Sequence, residues 1–563
     1  MKSLGNSRGR LDPGIALATT LAVLGVGFVS YFGFHRVPAS AFDAPIHASW
    51  LSDYARAMSE HVWLPQWAAG ARGGLGEPAF GYLHPGFYWL ASWLVLAGLS
   101  IPQAILTLCA LASLAIGWLT YGYARLWLTS RQALLAILLV QGAPALLAIH
   151  LFLGAYPWFV STAALAYFVF SLTAFLYREE KHYLAHTLLA VALLCFIHFL
   201  SAFIALTVCG LAVLLWWAVQ RTGTAFGSLV RVGVAVSLGV AVASVSLLPS
   251  LSHLDFIHSD AWFRPQFEDW RNSFLFQWRV PAGLTLASPS LQWVLPTVVA
   301  AQIALAAWLE RRSSLRSSPA LFLLGIAIIA CILGSQLSYP LWSGVAFLQK
   351  VQFGFRFLVI AAVSSGMALA LAIGGYLSRE TSRLRRWALA GGCAVVCLLP
   401  VLPLLGRSVM SGSPLESMLK VQDGSRGRPE YVTRWAAPGW HDYIDSGGLA
   451  AECRNVGVVC DTLEQGTHRA SWRFTAAQPV QVRLPLFFFP DWQVEINGRP
   501  VTSRPDPGTG LILAEVPGGS SVVSARFDTW ARIKTGAWLS LIAVVIAMVL
   551  AFSWLASKPK RKA

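Results

Sequence analysis

Long apolar segments recur along most of this chain. Up to about residue 406, and again near the C-terminus, apolar residues come in blocks of about 18–24. A helix of that length crosses a hydrocarbon core roughly 30 Å thick, so the pattern predicts a polytopic α-helical membrane protein with about 12 transmembrane helices. The predicted spans are residues 13–34, 101–123, 132–149, 157–177, 182–198, 199–218, 227–249, 289–309, 318–337, 355–377, 386–406 and 535–557.

Basic residues between the apolar blocks predict the orientation of the spans. Short cytoplasmic loops carry an excess of Lys and Arg, and both chain ends are basic, so we expect both termini to be cytoplasmic and the number of crossings to be even. Segment 85–98 has only about 14 apolar residues, which favours a juxtamembrane helix over a crossing. The basic sites are the tails (Lys2, Arg8, Arg10; Lys558, Lys560, Arg561, Lys562) and the loops near residues 125–131, 178–181, 221–231, 311–316 and 379–386.

A polar block before the last span has a different pattern. Trp492 to Val501 reads as strand, Asn-Gly turn and strand, and residues 510–516 and 521–527 read as two further strands. We therefore expect three parts. Residues 1–406 form a transmembrane module with a first extracytoplasmic loop at 35–100, residues 407–533 form a small extracytoplasmic β-rich domain, and residues 534–563 form the final span and tail.

Composition excludes a soluble globule. The chain is 56% hydrophobic and 12% charged, with a mean hydropathy of +0.59, whereas soluble domains carry about 25% charged residues. The formal charge of +16 follows from the basic loops. No basic stripe lies on the soluble domain, so we expect no nucleic-acid partner.

Cysteine positions agree with this layout. Six cysteines lie in apolar spans and are expected to pack there. Cys453 and Cys460 both lie in the polar block, where an oxidising compartment favours a disulfide. These two residues alone are too few to bind a metal.

The first loop carries the strongest chemical signal. Asp43 and His47 are four residues apart, which places them on one face of a helix. A carboxylate beside the membrane can accept a proton from a hydroxyl or hold a divalent cation. Alternatively, Asp43 caps a helix that starts near Pro45, and His47 is an ordinary interfacial histidine. The two residues alone are not a metal signature.

Several short motifs lie in the first loop and in two later segments. The first-loop elements are Asp43, His47, Leu64-Pro65-Gln66-Trp67, Gly74 to Tyr82, and Pro85-Gly86-Phe87-Tyr88. Together they resemble the first extracytoplasmic loop of GT-C membrane glycosyltransferases, in particular of the bacterial branch known as 6-pyruvoyl-tetrahydropterin synthase-related membrane proteins, although no pterin chemistry is evident. Gln352 to Leu358 and Phe489 to Trp492 resemble later family motifs, but they depart at Gly354, Phe355 and Asp491, where proline, tryptophan and glycine are usual.

The resemblance implies an enzyme of the bacterial inner membrane. Its donor would be a polyprenyl-phosphate-linked sugar, and its acceptor a glycan, a lipid or a protein. Asp43 would be the general base, with His47 beside it, and the reaction would invert the anomeric carbon. A divalent cation is possible, but Asp43 has no obvious second carboxylate nearby in the sequence.

The donor phosphate needs cations on the same side of the membrane. Arg356 at the start of a predicted span, with Lys350 and Gln352 just before it, is the candidate, because arginine binds phosphate bidentately. Arg356 could equally be an interfacial anchor. The secondary substrate-binding candidates are Glu77, Tyr82 and His84, while His198 is interpreted as a packing histidine.

Two other functions compete with the glycosyltransferase. A transporter or flippase of lipid-linked glycans usually carries charges at the membrane midplane or paired broken helices. Here the ionisable residues collect in the extracytoplasmic loops, which favours an enzyme. A non-catalytic scaffold for glycan assembly is the third hypothesis.

Overall fold

The computed structural model describes residues 37–38, 43–149, 153–259, 261, 269–279, 290–313, 318–378, 392, 412–413 and 429–556. The predicted span 13–34, the predicted span 386–406 apart from residue 392, and both basic tails lie outside these residues. The helices are α1 (Ala44–Ser59), α2 (Pro85–Leu96), α3 (Ile101–Ala124), α4 (Ser130–Gln141), α5 (Pro144–Ala148), α6 (Tyr156–Arg178), α7 (His182–Ile197), α8 (Phe199–Gln220), α9 (Gly223–Val242), α10 (Ser244–Ser252), α11 (Leu295–Ser313), α12 (Pro319–Gly334), α13 (Tyr339–Gly344), α14 (Ala346–Gln349), α15 (Leu358–Leu377), α16 (Trp440–Asp445), α17 (Gly448–Asn455) and α18 (Thr529–Ala556).

Every predicted span that falls within the described residues overlaps a helix of the structure. Seven helical segments there are long and apolar enough to cross a membrane, and three shorter apolar helices, α4, α7 and α12, fill the remaining predicted positions. The predicted span 132–149 is broken between α4 and α5, where Pro144 starts a new helix. The seven segments that are long and apolar enough to cross a membrane are Ile101–Ala124, Tyr156–Arg178, Phe199–Gln220, Gly223–Val242, Gln292–Arg311, Gly354–Leu377 and Thr529–Trp554.

The helices form a bundle around α15. The apolar window of the segment containing α15 is 100% buried and that of α6 is 89% buried, so both lie in the protein interior. By contrast, α9 and α18 are 22% buried over the same kind of window. Large apolar side chains such as Trp538, Ile542 and Phe552 stay exposed on α18. An apolar surface of this extent is what a lipid-facing helix presents.

Short helix α2 covers the segment predicted to be juxtamembrane. It has 12 residues from Pro85 to Leu96, about 18 Å at the helical rise, too short for a hydrocarbon core. Trp93 on α2 is exposed and stacks on Trp63 of the first loop, with ring centroids 5.6 Å apart.

The C-terminal polar block folds as two antiparallel sheets. Five strands pair in the order β3-β4-β10-β6-β7, and three pair in the order β5-β9-β8. Asn497 and Gly498 both have positive φ in the predicted turn between β6 and β7. The strands are β3 (Val459–Gln465), β4 (Arg469–Ala476), β5 (Val480–Phe487), β6 (Trp492–Ile496), β7 (Arg499–Val501), β8 (Arg504–Pro505), β9 (Leu511–Val516) and β10 (Gly519–Phe527), besides a small ladder of β1 (Val37–Pro38) with β2 (Gly412–Ser413).

The cysteines of this block are close in space. Cys453 on α17 and Cys460 on β3 are joined by a disulfide. The bond ties the helix to the edge strand of the larger sheet.

The first loop and the two sheets share one hydrophobic core. Trp67 is completely buried, with its ring 5.5 Å from that of Trp492 and 5.6 Å from that of Phe527. The Phe487 N–H donates to the carbonyl of Leu75 (3.1 Å), and the Gln66 N–H donates to His468 Nε2 (3.1 Å). The first loop is therefore packed into the core of the two sheets, and the residues from Trp440 to Phe527 that form these sheets and their helices are here called the β-region.

Gly76 makes this insertion possible. Its φ is +77°, and a Cβ at this position would lie 2.1 Å from Trp67 Nε1. Any side chain would thus clash with the buried indole and require an unfavourable backbone conformation.

A buried arginine joins three parts of the chain. Arg532, in the first turn of α18, has a side chain that is 1% exposed and pairs with Asp491 at 3.0 Å. Its guanidinium also lies 5.1 Å from the rings of both Tyr82 and Phe489. The pair thus links the last helix, the β-region and the first loop. Asp491 is also a departure from the family motif, so this chain places an ion pair where the motif has glycine.

The shared core predicts a clear stability contrast between two tryptophans of the first loop. Trp67→Ala should lower the free energy of unfolding by about 3–5 kcal/mol, because it removes a fully buried side chain. Trp63→Ala is the matched control, since Trp63 is 49% exposed and its loss should change stability little. Thermal unfolding of the purified protein followed by fluorescence measures both. Equal effects of the two changes would contradict a shared core.

Candidate functional site

A cavity of about 390 Å³ lies where the helix ends meet the first loop. The starts of α6, α8 and α15, the junction of α7 and α8, and α10 all contribute to its wall. Arg178 and Arg221 lie at the opposite ends of α6 and α8. The predicted site residues that line the cavity are Asp43, His47, Tyr82, His84, Lys350, Gln352 and Arg356.

Asp43 stands at the start of α1 without capping it through its side chain. It occupies the N-cap position, but its carboxylate makes no capping hydrogen bond. Its backbone carbonyl accepts the His47 N–H at 3.0 Å, and its own N–H donates to Leu153 at 3.3 Å. The backbone therefore begins the helix while the residue also lines the cavity, and the role of Asp43 as a base stays a prediction.

His47 lies among aromatic rings on the same face of α1. Its Nδ1 is 2.6 Å from the hydroxyl of Tyr88 on α2. Burial, together with neighbouring Tyr431 and Asp43, raises the pKa of Tyr88 well above its ordinary value. The tyrosine therefore keeps its proton at neutral pH and provides a hydrogen-bond donor near Asp43. Tyr88 belongs to a motif quoted from the sequence, but the sequence did not identify it as a site residue.

The basic residues come from the segment before α15. Arg356 lies in a 3-10 turn, Gly354–Phe357, where Nη1 donates to the carbonyl of Val351 at 2.8 Å. Its guanidinium also lies 4.9 Å from the ring of Phe353. Lys350 is exposed and lines the same cavity. The positively charged side chains of Arg356 and Lys350 therefore line the same cavity.

The backbone of this segment is held under constraint. Gln352 has a φ of +62°, which is uncommon for a residue with a side chain. Its carbonyl accepts a hydrogen bond from the Ser273 hydroxyl (2.9 Å). A Cβ on Gly354 would lie 2.5 Å from the carbonyl oxygen of Gly334. The turn therefore packs directly on the end of α12.

Two histidines face each other on another part of the wall. The rings of His84 and His198 are 5.3 Å apart. Burial lowers the pKa of His84 to about 4, so this ring is neutral at pH 7. His198 Nδ1 accepts the Ser201 N–H at 3.2 Å and thereby caps α8. The packing role expected for His198 is present, but the residue also lines the cavity.

Glu77 is not part of the cavity wall, although the sequence suggested it as a substrate-binding residue. Its carboxylate is buried and pairs with Arg72 at 3.2 Å. Burial raises its pKa to about 7, opposed by Arg72 and assisted by the charge of Glu430. Its main chain bridges to Ala68. Glu77 therefore stabilises the fold of the first loop.

Tyr82 has both a structural and a cavity-facing position. Its hydroxyl donates to the carbonyl of His253 at 2.6 Å, and its ring lies beside Arg532. The tyrosine fixes the first loop against the end of α10 while lining the cavity.

Sequence reasoning missed one contribution entirely. Glu430 and Tyr431, in the 3-10 turn Pro429–Tyr431 before the β-region, line the cavity together with Trp50 of α1. The ring of Trp50 packs edge-on against Tyr431, with centroids 5.7 Å apart. No local motif marks this turn, because only the chain fold brings it to α1.

No metal-binding group is found in the described part of the chain. Within those residues, His, Cys, Asp and Glu side chains never cluster in threes in an arrangement that could hold a metal ion. The Asp, Glu and His side chains that line the cavity are Asp43, His47, His84, His198 and Glu430.

Fold and cavity together define a helical membrane protein whose cavity at the helix ends is lined by both carboxylate and basic side chains. The chain belongs to the family of membrane proteins with a 6-pyruvoyl-tetrahydropterin synthase related domain, which matches residues 82–412. No curated protein sequence matches the chain significantly.

Three similar solved structures represent the matches. ArnT from Cupriavidus metallidurans, bound to undecaprenyl phosphate, is 16% identical with a TM-score of 0.45 over 74% of this chain and 77% of ArnT. The Archaeoglobus fulgidus oligosaccharyltransferase is 15% identical with a TM-score of 0.47, over 71% of this chain and 56% of that protein. The arabinofuranosyltransferase AftD from Mycobacteria is 15% identical with a TM-score of 0.47, over 92% of this chain and 40% of AftD.

The buried acid Glu77 predicts a pH dependence of stability. Its folded pKa of about 7 lies above the ordinary 4.5, so the folded state binds the proton more tightly and the stability from this group is lost as pH rises from about 4.5 to 7. Glu77→Gln should therefore flatten the fall of Tm between pH 5 and 8. Differential scanning fluorimetry checks this, with exposed Glu495→Gln as the control. An unchanged slope in Glu77→Gln would contradict the assignment.

Proposed function

We propose that this chain is a membrane glycosyltransferase that transfers a sugar from a polyprenyl-phosphate donor to an extracytoplasmic acceptor, which is a cell-surface glycan, a lipid or a protein. The observation that carries the proposal is that Asp43 and Arg356, far apart in the sequence, line one cavity. Its volume of about 390 Å³ lies in the lower part of the range of about 300–1,000 Å³ for small-molecule sites.

Asp43 acts as the general base. It removes the proton from the acceptor hydroxyl as that oxygen attacks the anomeric carbon, the bond from this carbon to the phosphate oxygen breaks, and the lipid phosphate leaves. A single displacement of this kind inverts the anomeric configuration. The proton moves to the carboxylate and the negative charge to the phosphate, so the step balances. Positioned base catalysis contributes about 10²–10⁴-fold.

The cations bind the leaving phosphate. Arg356 can match two phosphate oxygens with its planar fork, and Lys350 adds a mobile point charge. Gln352 presents its strained backbone between them. His47 and Tyr88 hold each other beside Asp43, and His84 is neutral and can approach the phosphate as a donor without adding charge.

A transporter is less well supported than an enzyme. Asp43, Lys350 and Glu430 lie outside the candidate spans, and Arg356 lies at the end of one. Charges that carry a substrate across a membrane are expected near its midplane. Translocation of a lipid-linked glycan by the pure protein in liposomes would favour the transporter instead.

The base assignment predicts a large kinetic effect. Asp43→Asn keeps the size of the side chain but removes the proton acceptor, so transfer should fall about 10²–10⁴-fold. The assay follows release of polyprenyl phosphate from a panel of short-chain polyprenyl-phosphate sugars by protein in nanodiscs. Exposed Asp445→Asn is the matched control. A folded Asp43→Asn variant working at the wild-type rate would refute the role.

The phosphate assignment predicts a different kinetic signature. Arg356→Gln should raise the KM for the donor, because a charged hydrogen bond of about 1.5–3 kcal/mol is lost, whereas exposed Arg499→Gln should not. Initial rates over a range of donor concentrations separate KM from kcat. If Arg356→Gln left the donor KM unchanged, the arginine would be an interfacial anchor only.

A further inference from the structure

The charged residues of the cavity fall into two groups that come from different parts of the chain. Lys350 and Arg356 belong to the segment before α15. The carboxylates belong to α1, with Asp43 at its start, and to the turn Pro429–Tyr431, with Glu430. Of these four charged residues, Glu430 is the one that the sequence did not predict.

Aromatic contacts place the two carboxylates in one neighbourhood. The ring of Trp50 packs edge-on against both Tyr431 (5.7 Å) and Tyr88 (6.3 Å). Asp43 and Tyr431 both lie near enough to Tyr88 to affect its ionisation. Glu430 lies behind this cluster, near enough to Glu77 to affect its ionisation. The cluster of Asp43, Trp50, Tyr88, Glu430 and Tyr431 is here called the acidic wall.

Backbone pairing holds the turn that carries Glu430. The His258 N–H donates to the carbonyl of Val432 at 3.2 Å, and the Arg434 N–H donates to the carbonyl of Phe256 at 3.0 Å. This short antiparallel bridge ties the turn to the chain just after α10, a helix whose residues also line the cavity. The turn is therefore a fixed part of the wall.

The chemistry of the acidic wall selects its ligand. An ionised carboxylate only accepts hydrogen bonds, so it binds hydroxyl groups and ammonium groups and repels phosphate or carboxylate. Glu430 is 7% exposed, so a ligand group that binds to it must lose most of its hydration, which costs far more for a phosphate than for a hydroxyl. Flat apolar faces from Trp50 and Tyr431 supply the contact area that a ring-shaped ligand needs.

From this arrangement we infer that the acidic wall is the acceptor subsite and that Glu430 determines its specificity, selecting an uncharged sugar ring over a phosphorylated or carboxylated one. The inference rests on the proposed function, because the acceptor must place its hydroxyl at Asp43 while the donor phosphate lies at Arg356. The acceptor ring then lies against Trp50 and Tyr431, and Glu430 accepts one of its other hydroxyl groups.

Direct binding provides the first test, because it needs no donor. The probes are methyl glycosides of neutral hexoses and pentoses, compared with the corresponding sugar phosphates, titrated calorimetrically into the full-length protein in nanodiscs. We expect the neutral glycosides to bind at least tenfold more tightly than the phosphates. Glu430→Gln should weaken the neutral glycosides about tenfold or more, as loss of a charged acceptor implies, and should narrow the preference over phosphates.

Matched variants keep this test independent of folding. Glu430→Gln keeps the size of the side chain, and its Tm, measured beside that of the wild type, shows that the variant is folded before its binding is compared. Exposed Glu495→Gln should bind like the wild type. Tyr431→Leu, which removes the aromatic face but no charge, should weaken all glycosides while retaining the preference over phosphates.

Three results would overturn the inference. The first is that Glu430→Gln binds neutral glycosides as tightly as the wild-type protein does. The second is that the wild-type protein binds sugar phosphates more tightly than neutral glycosides. The third is that the wild-type protein binds no glycoside at all. Failure of the proposed function looks different: the protein would release no polyprenyl phosphate from any donor, yet glycoside binding would still depend on Glu430. Where transfer is observed, Glu430→Gln should raise the KM for the acceptor at least tenfold more than the KM for the donor.

Discussion

The buried ion pair between Arg532 and Asp491 constrains how the parts of this protein are joined. A guanidinium with a side chain that is 1% exposed is strongly destabilising unless a carboxylate and polarisable groups surround it, and removing one partner of such a pair costs about 3–5 kcal/mol. Asp491 supplies the charge from the β-region, and Tyr82 supplies an aromatic face from the first loop. The last helix, the β-region and the first loop are therefore held in one arrangement. The cavity depends on it, since Tyr82 lines its wall.

This junction makes the β-region part of the site. The sequence predicted a small extracytoplasmic β-rich domain at residues 407–533. In the structure Trp67 of the first loop is part of its core, and the turn Pro429–Tyr431 at its start contributes Glu430 to the cavity. The β-region thus builds the site from two directions, by holding the first loop and by adding a carboxylate. The carboxylates and the basic side chains of the cavity are therefore held in place by different parts of the fold.

Local sequence was informative wherever one element carried the signal. The spacing of Asp43 and His47 predicted a shared helical face, and both line the cavity. The Asn-Gly turn predicted the hairpin of β6 and β7. For Glu77 the deciding surroundings are tertiary: the sequence suggested a substrate-binding residue, whereas in the structure its buried carboxylate pairs with Arg72 and lies outside the cavity wall. The even number of crossings remains a prediction, because almost all of the predicted spans 13–34 and 386–406 lies outside the described residues.

By itself the sequence determined that this is a membrane protein, where most of its helices lie, and that Asp43 and His47 share one face of a helix. Those features depend on hydrophobic length and on spacing within one turn of helix, and both are local. Only the tertiary structure decided that Arg356 shares a cavity with Asp43, and that Glu430 joins them. Contacts between such distant residues are set by how helices and sheets pack, so no short segment of sequence encodes them. Packing also decided that Trp67 belongs to the β-region core, because its burial depends on partners more than 400 positions later.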